Sequence, residues 1–211
     1  MSQQPNPAEW EAYFWPGTDV LKNKPGIGDA DHLRIIEYES TFFREMEIRT
    51  GRVQIDRTHD HRHLRSIHRH LFGDLYEWAG EYRTVNVSKF HRDVGVSHHF
   101  GDHASMAMYM RQMDTLIRSL PWEELGRERT VHALAEVHTA LNFAHPFREG
   151  NGRAARVFLE HLAGQGRFRP DFEKVSADDW NRASARTFVH PHGLKLDSTP
   201  LSEVYREILN E

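Results

Sequence analysis

The chain has 211 residues, 38% of them hydrophobic and 11% aromatic, which suits one domain with a packed core and is too much apolar material for wholesale disorder. A formal net charge of −4 argues against a broad basic face for nucleic acid, and the lack of cysteine excludes disulfide frameworks and thiolate metal sites. No stretch approaches the roughly 18 apolar residues of a membrane span, and no basic-then-apolar leader opens the chain; neither membrane nor nucleic acid is expected as a partner, and the expected location is cytoplasmic, with export by a specialised machine left open.

Residues 1–12 are polar and proline-containing and read as a loose lead-in. The spacing of Leu33, Ile36 and Phe43 predicts a helix over 29–49. Leu64, Ile67, His68, Leu71, Phe72, Leu75 and Trp78 predict a second over 61–78, ended by Gly80. Alternation of Val85 and Val87 with polar neighbours predicts a strand over 83–89, with 94–100 as its hairpin partner and Arg92-Asp93 near the turn. Met106, Met110, Met113 and Ile117 mark a helix over 103–120, and Val131, Leu134, His138 and Leu141 one over 130–144. A further helix starts near Asn151 and runs to about Gly164. Ser176 with Asp179 caps another, and Thr199-Pro200 starts the last as N-cap and first-turn proline. No repeat or linker divides the chain, so the expectation is a single all-α domain over 1–211 with one β-hairpin at 84–100.

Between two of these helices lies His-Pro-Phe-Arg-Glu-Gly-Asn-Gly-Arg, residues 145–153. Pro146 stops the first helix, and Gly150 and Gly152 allow close backbone approach. A helix opening at Asn151 presents unpaired N–H groups and a partial positive charge, a ready anion site. Arg153 and Arg156 stand on one face and match phosphate oxygens bidentately. Glu149 can hold Mg²⁺, which binds through one or two carboxylates plus substrate phosphates. His145 has a side chain suited to proton abstraction near neutral pH. Together these residues read as a phosphate-handling site.

The loop resembles the Fic family motif H-x-F-x-[D/E]-G-N-G-R-x-x-R, matched at His145, Phe147, Glu149, Gly150, Asn151, Gly152, Arg153 and Arg156. Residues 15–27 and 64–89 are similar to the family's entry segment and its helix with following strand. The resemblance implies the Fic fold, a helical bundle with a hairpin flap. It implies a protein adenylyltransferase that moves AMP from ATP to a Tyr, Thr or Ser hydroxyl of a target protein. His145 would be the general base, Glu149 the Mg²⁺ ligand, and Gly150, Asn151, Gly152, Arg153 and Arg156 the phosphate contacts. Phe147 would be a core anchor. Ser88, Lys89 and Phe90 would dock the target's segment as an added strand. Other nucleotidyl or phosphoryl transfer, or an inactive binding module with this fold, are the alternatives.

Many Fic proteins also carry an inhibitory helix, [S/T]-x-x-x-E-[G/N], whose Glu pairs with the second motif arginine. Thr41…Glu45-Met46, Ser119…Glu123-Glu124 and Thr199…Glu203-Val204 each fail at the last position. The expectation is therefore a separate small antitoxin supplying the inhibitory Glu, with Glu203 as an internal inhibitor, or no inhibitor at all, as the alternatives. The histidine groups at 59–63 and 190–192 are expected on solvated surface, and His138 in the core.

Overall fold

The computed structural model describes residues 7–91, 96–188 and 196–211. It consists of eight α-helices and two small antiparallel ladders among these residues, in the order α1 (Pro7–Glu11), α2 (Ala30–Arg49), α3 (His61–Phe72), β1 (Ser88–His91), β2 (Val96–His99), α4 (Met106–Arg118), α5 (Arg127–Ala144), α6 (Asn151–Ala163), β3 (Arg169–Pro170), α7 (Ala177–Arg186), α8 (Thr199–Ile208) and β4 (Leu209–Asn210). The all-α expectation holds.

Caps explain most helix starts. Asp29 accepts from the His32 amide at the head of α2, and Asp60 from the Arg62 and His63 amides at the head of α3. Ser176 caps α7 through the Asp179 amide. α8 begins one residue earlier than its Thr-Pro pair suggests, with Ser198 as N-cap. α5 is buried on most sides, through Val131, Leu134, Ala135, Val137 and Leu141, so it forms the centre of the bundle. α6 packs on it and on α3; α8 and α4 cover its other faces.

Several expectations are corrected. The helix expected over 61–78 ends at Phe72. The apolar run continues, but the Leu75 and Tyr76 amides both turn back onto the Phe72 carbonyl, so the remainder is buried as turns. The strand expected over 83–89 is only Ser88–His91, paired with Val96–His99. Val85 is fully buried, and Arg83 hydrogen-bonds to loop carbonyls instead of to a strand partner. The residues expected at the hairpin turn, Arg92, Asp93 and Gly95, lie outside the described residues, as does the 190–192 histidine pair. The third correction concerns the lead-in, which is structured from Pro7 onward: α1 is followed by a bridge between Phe14 and Leu21.

The histidines at 59–63 also depart from the surface expectation. His63 is buried on α3, and its Nε2 lies 3.0 Å from Nδ1 of His161 on α6. Burial is the main cause that pushes His63 from its ordinary 6.5 to about 3 and His161 to about 4, and nearby Arg57 and the neighbouring rings push the same way. His138 is buried as expected, stacked on Trp180 at 4.6 Å.

The folded state therefore binds fewer protons than the unfolded chain between pH 6.5 and about 4. This stability is fully present above pH 6.5 and is lost as pH falls through the depressed values. The urea midpoint should fall steadily from pH 7 to pH 4, and His161→Gln should flatten that slope. An unchanged slope in the variant would show that the His63–His161 pair does not govern it.

Candidate active site

The loop 145–150 is held by buried groups on its inner side. His145 caps α5 with φ +45°, the left-handed region that a histidine enters only when its surroundings hold it. Arg83 does the holding. Its Nε donates to the His145 carbonyl at 2.8 Å, Nη2 to the Ala144 and Gly101 carbonyls, and Nη1 to the Val85 carbonyl at 2.6 Å. Burial lowers the Arg83 pKa to about 10, which still leaves it cationic at neutral pH. His68 of α3 braces the other end. Its Nδ1 accepts from the Gly80 amide at 2.9 Å, which fixes Nε2 as the protonated nitrogen donating to the Glu149 carbonyl at 2.9 Å. Burial lowers His68 to about 4, so it remains neutral for this task. Phe147 is buried and stacks on His68 with centroids 3.8 Å apart, as a core anchor would.

Gly150 sits at φ +78°, and a Cβ there would lie 2.2 Å from the Phe72 ring. Asn151 closes the loop on itself: its Oδ1 accepts from the Phe147 amide and its Nδ2 donates to the Phe147 carbonyl, both at 2.8 Å. The residue read as a phosphate contact thus has its carboxamide engaged in bracing the loop. The Glu149 side chain is exposed, with Oε1 accepting from the Gly150 amide.

The structure brings His145, Glu149, Gly150, Asn151, Gly152, Arg153 and Arg156 to one cleft. One cavity of about 180 Å³ is lined by His145, Glu149, Asn151 and Gly152. A neighbouring one of about 490 Å³ is lined by Glu149, Gly150, Gly152, Arg153 and Arg156. They share Lys89 of β1 and Trp180 and Asn181 of α7. Both arginines are engaged by α2. Arg153 pairs with buried Glu37, which also accepts from the Tyr76 hydroxyl, and donates to Thr41 Oγ1 at 3.0 Å. Arg156 Nη2 donates to Glu45 Oε2 at 2.6 Å, while Glu45 Oε1 accepts from Arg49 at 2.9 Å.

The Fic/DOC family model matches residues 58–163, a stretch that runs from the cap of α3 to the end of α6. The chain belongs to the Fic/DOC family. It is 34% identical over 181 residues to the protein adenylyltransferase VbhT of Bartonella schoenbuchensis, covering 84% of this chain and 36% of that protein. It therefore spans about a third of that relative's length. It is 28% identical over 205 residues to the probable protein adenylyltransferase Fic of Escherichia coli K12, covering 95% of this chain and 93% of the relative. Among solved structures it is similar to the Bartonella tribocorum BepC protein with bound AMPPNP, at a TM-score of 0.80 and 25% identity over 95% of this chain and 97% of that one.

On this Fic fold the hairpin stands beside the loop. Ser88, Lys89 and Phe90 are exposed on β1, opposite His99, His98 and Ser97. Phe100, just past β2, stacks on the His145 ring at 3.8 Å, so the hairpin base and the candidate base are packed together. Glu203, the internal inhibitor considered from sequence, is exposed on α8 and pairs with neither motif arginine among the described residues. Glu45, the near match dismissed for its final Met46, is the carboxylate on Arg156. Sequence reasoning missed Arg83, His68, Glu37, Trp180 and Asn181. His68 carried a signal, a polar residue at an apolar helical position; the others carried none.

Gly150→Ala must move either the Phe72 ring or the loop and also strain the backbone. The expected cost is about 3 kcal/mol, read as a lower urea midpoint, together with weaker binding of ATP. Unchanged stability and ATP affinity would show that the loop accommodates a Cβ.

Proposed function

We propose that this protein is a protein adenylyltransferase, transferring AMP from ATP to a Tyr, Thr or Ser hydroxyl of a target protein. The observation that carries the reading is one cleft with His145 at one end and Arg153 and Arg156 at the other, Glu149 between them. The target hydroxyl oxygen attacks the α-phosphorus. The bond from that phosphorus to the oxygen bridging to the β-phosphate breaks, and pyrophosphate leaves. The hydroxyl proton passes to the His145 imidazole as general base. Charge on the departing pyrophosphate is met by Arg153, Arg156 and the amides at the head of α6. The rate gain comes from positioning and electrostatics, as phosphoryl chemistry requires.

Glu149 offers a solvent-facing carboxylate, and no group of three or more His, Asp or Glu able to hold a cation is found among the described residues. That donor set fits Mg²⁺ held jointly with the nucleotide, one carboxylate from the protein and the other oxygens from phosphates and water. Glu149 would hold the ion there, and Mg²⁺ would supply charge neutralisation on the nucleotide's phosphates. Ser88, Lys89 and Phe90 dock the target as an added strand along β1, supported by their exposure beside His145. No helix of the described residues is long and apolar enough to cross a membrane. We place the reaction in the cytoplasm, where ATP is at hand. Delivery into a second cell's cytoplasm is favoured by the likeness to a VirB-translocated effector.

Label from α-³²P-ATP should enter lysate protein, label from γ-³²P-ATP should not, and His145→Ala should cut the α-label by at least about a hundredfold. Incorporation of γ-label alone would make the protein a kinase and sink the assignment.

For control, we infer an intramolecular brake. Phosphate oxygens and Glu45 compete for the same Arg156 guanidinium, so productive ATP binding must displace the carboxylate. A separate small antitoxin supplying an inhibitory Glu is the second reading. It is favoured by an exposed apolar strip on α2, made of Ile35, Tyr38, Phe42, Phe43 and Met46, whose Tyr38 lines the arginine cavity. This strip suits an amphipathic helix that carries a carboxylate. Glu45→Gln keeps the shape and removes the charge. Assayed alone, the variant should bind ATP about tenfold tighter and label faster. Unchanged affinity would remove the brake and leave the antitoxin as the regulator.

A further inference from the structure

Arg148 lies between the core anchor Phe147 and the carboxylate Glu149, at a position the family motif leaves open. Its guanidinium carbon is 4.5 Å from the Trp10 ring centroid, 5.1 Å from that of Phe14 and 5.6 Å from that of Tyr13. Its buried Nε has no hydrogen-bond partner among the described residues, and no carboxylate there forms an ion pair with it. Burial lowers its pKa, partly offset by the charge of Glu149. The side chain is a desolvated cation held by aromatic faces, the setting in which cation–π attraction is strongest.

The cage is anchored independently of Arg148. The Tyr13 hydroxyl lies 3.1 Å from Thr84 Oγ1 and accepts from the Thr84 amide at 3.2 Å. The Lys22 amide donates to the Tyr13 carbonyl at 2.8 Å, and Trp15 Nε1 donates to the Ile27 carbonyl at 3.2 Å. Residues 10–15 are thus tied both to the 20–27 segment and to the residue next to Arg83. A leucine or methionine at position 148 would fill the same cage without the cost of burying a charge. What the guanidinium adds is a fixed plane and direction, and with them a fixed backbone on either side.

We propose that Arg148 is a positioning residue. The cage of Trp10, Tyr13 and Phe14 grips it from the outer side of the loop, while His68 and Arg83 hold the inner side. Between them the Glu149 carboxylate and the amides of 150–152 are kept in the geometry that receives a nucleotide's phosphates. What the loop binds rests on the adenylyltransferase reading; that the cage fixes the loop does not.

The test is a double-mutant cycle of Trp10→Leu and Arg148→Met, with Arg148→Lys alongside and Phe14→Leu in place of Trp10→Leu should that variant not fold. Amide hydrogen exchange is read in 147–152 and, as the control, in the interiors of α5 and α6. Each single variant should speed loop exchange about tenfold with the helix interiors unchanged. The double variant should go no further than either single, and Arg148→Lys should fall between wild type and Arg148→Met. The KM for ATP should rise about tenfold with a smaller change in kcat. Additive effects in the double variant, loop exchange unchanged, or exchange raised equally in the helix interiors would overturn the proposal. Wild-type protein that transfers no label would count against the adenylyltransferase reading, and the exchange cycle would still decide the role of Arg148.

Discussion

Two buried side chains, Arg83 and His68, each spend hydrogen bonds on carbonyls of the loop that joins α5 to α6, and the site depends on that arrangement. A loop of this kind exposes main-chain acceptors that helix geometry cannot satisfy. Arg83 takes those of Ala144 and His145, and His68 that of Glu149. Because Arg83 also donates to Val85 and Gly101, which flank the hairpin on both sides, the position of His145 and the base of the hairpin are set by one guanidinium. His68 can act only as a neutral imidazole of one tautomer, and its burial against Phe147 and Phe72 keeps it so near neutral pH.

The parts of the site nearest in sequence were the legible ones. A histidine, a proline, a carboxylate, two glycines and the arginines at 153 and 156, all within twelve residues, announce an anion site, because helix starts and arginines act locally. The hairpin was legible as alternation but misplaced toward its N-terminal end, since Val85 alternates correctly yet belongs to the buried support of the loop. The run to Trp78 looked helical because its apolar spacing is correct; tight turns satisfy that burial as well as a helix does. Arg83 and Glu37 were invisible because nothing in a sequence distinguishes a buried Arg or Glu from a solvated one. Only tertiary contact does so, and each lies far along the chain from the residue it serves.

The histidine group at 59–63 failed for a related reason. Dense His, Arg and Asp suggested solvent, but Asp60 and Arg62 are engaged at the head of α3 as cap and cap partner. His63 is carried inward on the helix face that holds Leu64 and Ile67, and His161 meets it from α6. Polarity indicated the surface for the group as a whole, whereas helix phase decided it residue by residue.

The relation between α2 and α6 links folding to use. Arg153 and Arg156 lie at the head of a helix packed into the bundle, where a bare guanidinium would be costly. Glu37 and Glu45 offset that cost, and Tyr76 and Arg49 hold the two carboxylates in place. An acidic chain can thus line a cleft with two arginines without a basic surface: their positive charge is local and paired with its own carboxylates.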